Sequence, residues 1–167
     1  MRKYWCLVCI LVLLVGCANV EKEIVKESRE VSLENEVIEI MKENDAEFDA
    51  IIDYDLKDNS IIVVYDGLGT NGLSVAIIQQ TTNGLEWVKT HDATTPITTI
   101  TDEGNLFVTI VRPRDEDFTE VKVFDQHAKL VTYYNNSFEG VTIEEKYWIA
   151  YTNNNPDAID DIELIRK

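Results

Sequence analysis

An all-β antiparallel meander, preceded by one short amphipathic helix, is the fold the sequence predicts for the chain beyond residue 31. Three observations predict it. At Ala46 the apolar period changes from that of a helix to two, the period of a half-buried strand. Apolar runs of strand length then recur to the end of the chain with no helical run among them. Turn residues fill the gaps, and Asn83-Gly84 is the strongest local hairpin signal. The pattern suits about 9–11 short strands, arranged as a sandwich or barrel, or as propeller-blade-like or trefoil-like repeats.

Residues 32–45 predict the helix. Ser32 is a cap, Glu34 lies in the first turn, Leu33, Val37, Ile40 and Met41 share one face, and Asn44 and Asp45 end it. From Ala46 to Leu56 the alternation predicts a strand with Phe48, Ile52, Tyr54 and Leu56 inward and Asp49, Asp53 and Asp55 outward. Lys57-Asp58-Asn59 turns the chain into Ser60–Tyr65, whose unbroken apolar run suits a central strand. A glycine-containing loop, 67–72, leads to strands at Leu73–Gln80 and Leu85–His91. Further strands are expected at Ile97–Ile100, Leu106–Val111, Val121–Asp125, Leu130–Tyr134, Tyr147–Thr152 and Ile159–Ile165.

A weak internal repeat runs through this region. Asn105–Gln126 and Lys146–Lys167 superpose at an offset of 41 without a gap, Phe107 matching Trp148 and Val121 matching Ile162, although no position is identical. Ser60–Gln80 fits the same template after a one-residue gap. Units of this length resemble propeller blades, and three of them also suit a trefoil.

Ahead of the helix stand two basic residues, Arg2 and Lys3, and then 13 residues, Tyr4–Gly16, without charge or proline. Such a run is shorter than the ~20 apolar residues that a spanning helix needs, and its charge-then-apolar-then-small order is that of a cleaved targeting signal. Its end, Leu14-Val15-Gly16-Cys17, resembles the lipobox of bacterial lipoproteins. That resemblance covers the first 17 residues only. It implies that 1–16 is a signal peptide and that Cys17 becomes the first mature residue and carries a diacylglyceryl group. Two acyl chains anchor stably where one gives only marginal binding. The competing expectations are an ordinary signal peptide, with Cys17 as inert as Cys6 and Cys9, and a short uncleaved anchor. Residues 17–31, rich in both charges, read as a polar tether between this point and the helix at 32–45 and β domain at 46–167. Ala18 stands where an aspartate would signal retention in one membrane.

The chain carries 15 basic and 31 acidic residues. Without residues 1–16 it keeps 13 bases against 31 acids, a net charge of −18. That charge repels nucleic-acid phosphates and disfavours adsorption to anionic head groups, so the lipid must do the anchoring. All three cysteines fall within 1–17, which leaves the folded part no disulfide framework and no cysteine metal site.

Candidate chemistry is sparse. His91 and His127 each stand beside an acid, Asp92 and Asp125, but no Gly-x-Ser-x-Gly elbow or free cysteine supplies a nucleophile, so solvated turn histidines are expected. Asp53, Asp55, Asp58 and Asn59 space their oxygens as calcium loops do, yet lack the glycine and the distal glutamate. Asp115-Glu116-Asp117 and Asp157 with Asp160-Asp161 occupy matching loops of the repeat and would hold a hard cation only if they converged. Trp87, Tyr133, Tyr134, Tyr147, Trp148 and Tyr151 lie on expected strands, and each adjacent pair sends one ring to each face, so at least two rings should leave the core. No catalytic residue, metal ligand or cofactor is assigned.

The expectation is a lipid-anchored protein on the extracytoplasmic face of a membrane. Its β domain is expected to bind a partner protein or cell-wall polymer without catalysis, a class that includes immunity-type roles. The alternative is a membrane-tethered hydrolase using paired acids.

Overall fold

The structure, a computed structural model, describes residues 32–68, 72–101, 104–114, 117–136, 142–158 and 160–167. These belong to one compact unit, Ser32–Lys167. The expectations for residues 1–31, namely signal peptide, lipidated Cys17 and tether, lie outside the described residues.

The helix α1 spans Leu33–Glu43. Ser32 caps it, its Oγ accepting from the Asn35 amide at 3.3 Å, and Asn44 closes it by donating from Nδ2 to the Ile40 carbonyl at 2.9 Å. Asp45 then takes a left-handed φ of 56° and starts the chain toward the first strand. Val37 and Met41 are buried, whereas Leu33 of the expected stripe is exposed.

Eleven strands follow among the described residues: β1 Phe48–Lys57, β2 Ser60–Gly67, β3 Leu73–Thr81, β4 Gly84–Ala93, β5 Ile97–Thr101, β6 Phe107–Val111, β7 Phe118–Val123, β8 Gln126–His127, β9 Lys129–Asn136, β10 Thr142–Thr152 and β11 Ile162–Arg166. All pair antiparallel, in three sheets. The first has the order β1-β2-β3-β4, the second β5-β6-β10-β9 and the third β11-β7-β8.

Three apolar clusters stack these sheets in layers. Val37 and Met41 pack with Ile61, Val63, Tyr65, Ala76 and Ile78 on one face of the first sheet. The opposite face, carrying Ile62, Val64, Val75 and Ile77, meets Val108, Ile110, Tyr147 and Ile149 of the second sheet. The far face of the second sheet, with Val111, Trp148 and Ala150, meets Phe118, Val121, Val123 and Ile162 of the third. The fold is therefore helix on sheet on sheet on sheet, the sandwich form of the meander. Both inner sheets are covered twice, which is why β2 reads as a continuous apolar run.

The double cover corrects one expectation. Tyr147 and Trp148 do send their rings to opposite faces, but both rings are buried, one in each interlayer. Only Tyr134 of the adjacent pairs is strongly exposed, at 68%.

The 41-residue offset is real in the structure, though not as stacked blades. Thr109 pairs with Ala150 in the β6–β10 ladder, and Lys122 pairs with Glu163 in the β7–β11 ladder. Each pair joins two residues 41 apart, so equivalent positions of the repeat face each other in both sheets. Two β–loop–β units thus run antiparallel through the second and third sheets, related by a local dyad between those pairs. Ser60–Gln80 does not belong to the repeat, because its two strands pair with each other as a hairpin in the first sheet.

Turn chemistry sets the remaining differences. At Thr82-Asn83 neither residue has positive φ, and Gly84 alone does, at 121°, so the glycine stands just after the turn rather than within it. The expected strand 121–125 stops at Val123, because Phe124 and Asp125 take φ of 49° and 63° and fold β8 back on β7. Two consecutive left-handed residues are the signature of the tight hairpin turn. The last strand starts at Ile162; Ile159, where it was expected to begin, lies outside the described residues.

Candidate functional site

Asp53 and Asp55 lie on the face of β1 that simple alternation gives them, but that face is not in solvent. The β1–β2 register slips between Phe48 and Ala50 and again between Ile51 and Asp53. Each bulge shifts the pleat by one residue. The two shifts cancel beyond Ile52, so Asp53 lies opposite Val64 and Asp55 opposite Ile62, on the face that meets the second sheet, while Tyr54 and Leu56 keep the face of Phe48 and are exposed. The expectation that Asp53 and Asp55 point outward is corrected.

What draws them inward is Lys129, the first residue of β9. Its Nζ donates to Asp53 Oδ2 at 2.7 Å and to Asp55 Oδ2 at 2.8 Å. Tyr151 OH donates to the same Asp55 oxygen at 2.6 Å, and the Lys57 ammonium sits 4.7 Å above the Tyr151 ring. Burial alone would lower the Lys129 pKa, but the hydrogen bonds and charges of the two aspartates outweigh it and raise it. Beside this cluster lies a pocket of about 200 Å3 to which Asp55, Lys57, His127, Lys129 and Tyr151 contribute. His127 itself pairs through Nδ1 with Glu120 across the β7–β8 hairpin. One ammonium between two carboxylates is a closed ion-pair cluster that ties two sheets together. It lacks the open cleft between two acids that glycoside cleavage requires.

Three tyrosines line this face of the second sheet, and burial first raises the pKa of each. For Tyr151, the hydrogen bond to Asp55 and the charges of Asp55 and Asp53 add to it; for Tyr147, the charges of Asp53 and Asp55 do so. Tyr133 OH donates to Glu145 Oε2 at 2.6 Å, which adds to its rise, while Arg112 opposes it. The Tyr147 hydroxyl is buried with no hydrogen-bond partner among the described residues. Near Tyr133, the Asp66 carboxyl is raised above the ordinary aspartate value by burial and then by Asp49 and Glu145.

A second feature is a pair of grooves lined by cations. One groove of about 520 Å3 is lined by Arg112, Pro113, Arg114 and residues 143–146; a second of about 510 Å3 adjoins it at Lys146 and is lined by Phe118, Leu130, Trp148, Arg166 and Lys167, among others. Lys146 sits 5.8 Å from the Trp148 ring centre and Arg166 4.7 Å from that of Phe118, so the aromatic floor holds two of the cations in place. Arg112 lies against Gly72, where an added Cβ would stand 2.8 Å from its guanidinium.

The other sequence candidates are dispersed. His91 is exposed on β4. Asp58 and Asn59 make the β1–β2 turn, with Asp58 at φ 52°. Asp115 and Glu116 lie outside the described residues. Asp117 accepts from the Lys167 amide and Asp161 from the Phe124 amide through their backbone carbonyls, which puts the two acidic loops at opposite ends of the β7–β11 pair. The dyad requires this separation, so the loops do not converge. Asp157, Asp160 and Asp161 instead bond within their own turn, Asp161 Oδ2 accepting from the Asp157 amide at 2.7 Å. Among the described residues no group of three or more His, Cys, Asp or Glu could hold a metal ion. Trp87 packs toward the helix side of the first sheet.

Sequence reasoning passed over Lys129 and the groove cations. Lys129 opens a strand directly after a turn, a place where a lysine ordinarily reads as solvated, and its partners are 74 and 76 residues away. The five cations of the two grooves come from three separate segments that only the tertiary structure brings together. No family model matches the chain, and neither a curated protein nor a solved structure matches it.

Proposed function

We propose that this protein is a lipoprotein held to the extracytoplasmic face of a membrane by a diacylglyceryl group on Cys17, and that its β unit is a non-catalytic binding module for a partner protein or a cell-wall polymer. The observation that carries this reading is Leu14-Val15-Gly16-Cys17 at the end of an uncharged run that follows Arg2 and Lys3. Among the described residues no helix is long and apolar enough to cross a membrane. Support for binding over catalysis comes from the first acid pair, Asp53 and Asp55, which is closed by Lys129. An immunity-type role falls within this class.

Metabolic labelling with palmitate tests the anchor. The wild-type chain is expected to take the label and to partition with the membrane fraction, and Cys17→Ala to lose the label entirely. Label retained by Cys17→Ala, or an unlabelled full-length chain recovered from the cytosol, overturns the reading.

One observation favours a second reading, a membrane-tethered hydrolase. The Asp66 carboxyl is raised by burial and then by the charges of Asp49 and Glu145, and a raised carboxyl is the general acid of glycoside cleavage. The assay is release of soluble sugar from labelled cell-wall polysaccharide by the detergent-solubilised protein. The binding reading expects no release. Release that disappears in Asp66→Asn and in Glu145→Gln would establish the hydrolase instead.

A further inference from the structure

We propose that β9 is the seat of a symmetric dimer, in which two copies of this chain pair their β9 strands antiparallel and join their second sheets into one sheet of eight strands. This goes beyond the binding-module reading and does not depend on it. β9 ends the order β5-β6-β10-β9, so among the described residues no strand lies beyond it and one side of its backbone is left for pairing. Sheets ordinarily guard such an edge with charges, bulges or brevity. The other edges here are guarded. β1 carries Asp49, Asp53 and Asp55 and two breaks in register, and β4 carries Glu86, Lys89 and Asp92 and one break. β11 carries Glu163 and Arg166 and a break, while β5 is five residues long and β8 two. β9 has none of these devices. It runs for eight residues in unbroken register with β10, and Leu130–Asn136 holds no charge. Its one charge, Lys129, is engaged by Asp53 and Asp55 of the first sheet.

The residues of β9 choose a second copy as the occupant. A two-fold axis perpendicular to the sheet keeps each side chain on its own face, so residues that pair across it must share a face. With the axis at Thr132, Leu130 lies opposite Tyr134 of the second copy on the outer face, and Val131 opposite its Tyr133 on the inner face. Both aliphatic side chains of Leu130-Val131-Thr132-Tyr133-Tyr134 thus meet an aromatic ring, a cross-strand pairing that stabilises sheets. Leu130 and Tyr134 are 48% and 68% exposed in the single chain, and this register covers both. Moving the axis to Val131 or to Tyr133 separates them. Charge points the same way. Residues 32–167 hold 27 acids and 10 bases, so two copies repel over most of their surface and can meet along an uncharged edge. The dyad uses both β9 edges, so assembly closes at two copies.

The test combines sedimentation of the full-length, detergent-solubilised protein at matched detergent density with oxidation of cysteine variants in whole cells. The parent is expected to sediment as two chains. Thr132→Lys sets two ammonium groups opposite each other at the dyad and should raise the dissociation constant at least tenfold. It also makes an acidic chain less negative, so this loss cannot come from overall repulsion. Thr132 is exposed, so the fold should be unchanged. Thr132→Cys should form a disulfide-linked dimer, since side chains directly opposite stand ~5 Å apart. Leu130→Cys and Tyr134→Cys should cross-link when co-expressed and not singly. His91→Cys, exposed on β4, controls for collision and should stay single. A parent that sediments as one chain, a dimer that survives Thr132→Lys, or a Thr132→Cys chain that cross-links no better than His91→Cys overturns the proposal. Cross-linking of Thr132→Cys to a different protein gives the edge to a partner's strand and overturns the second copy. A cross-link in the parent would come from Cys6, Cys9 or Cys17 and would count against the lipid anchor, while sedimentation still decides the edge.

Discussion

Titration above pH 10 will unfold this protein over a narrow range, and the tyrosines of the second sheet will ionise in that same transition. Tyr133, Tyr147 and Tyr151 all have pKa values raised by burial and by facing carboxylates. A raised value means that the folded state keeps a proton that the unfolded state gives up. Stability from each group is therefore complete below its ordinary value near 10 and is lost as pH rises from there toward the folded value. Each contributes a slope of about 1.4 kcal/mol per pH unit once the unfolded phenol is ionised. Three together remove about 4 kcal/mol by about pH 11 and about 8 kcal/mol by about pH 12, against a typical domain stability of ~5–15 kcal/mol. Lys129, also raised, acts with the same sign in the same window.

The check is tyrosinate absorbance followed together with circular dichroism, and the two transitions should coincide. Tyr147→Phe sharpens the test. Its hydroxyl has no partner among the described residues, so removing it should cost little near neutrality. It should also reduce the alkaline slope by about one third. Tyrosines that titrate near pH 10 in a chain that stays folded would show that these rings are not held between the sheets.

Trp148→Ala will cost about 3–5 kcal/mol, the range for deleting a large buried aromatic. Trp148 is 2% exposed and packs at the centre of the contact between the second and third sheets, with Val111, Phe118, Val121 and Val123. The third sheet has only three strands, one of them two residues long, so it has little else to hold it. Urea unfolding should then show the third sheet leaving before the first two, with Trp87 of β4 reporting the later step. Tyr134→Ala, at 68% exposure on a neighbouring strand, should stay within about 0.5 kcal/mol. A loss for Trp148→Ala below about 1 kcal/mol would mean that the third sheet does not depend on this ring.

The places where sequence reading failed are those where it treated a strand as having one wet face. Tyr147-Trp148 was expected to expose a ring, since a two-layer sheet has an outside for every inside. A strand in the middle of three sheets has none. Counting twos along β1 sets Asp53 and Asp55 on the face opposite Phe48, Tyr54 and Leu56, and the second bulge restores that phase after the first breaks it. The error lies in taking that face as wet, when it meets the second sheet. Nothing local in Ala50-Ile51-Ile52-Asp53 announces a bulge. The gain comes from Lys129, Tyr151 and the apolar partners on either side, all supplied by other parts of the chain.

Alone, the sequence determined the helix from its Ser32 cap to Asn44, most of the strands, the Asn83-Gly84 hairpin and the 41-residue correspondence, but not β8 or the first five residues of β10. All that it determined follows from short-range chemistry: period, capping, turn residues and chain-local pattern. Tertiary structure alone decided how many layers the strands form, that the β1 carboxylates meet a second sheet rather than solvent, and that five of the ten cations of residues 32–167 line two grooves that share Lys146. The physical reason is that whether a strand face is wet, and which charges it meets, are set by what lies across an interlayer, and those partners lie tens of residues away along the chain.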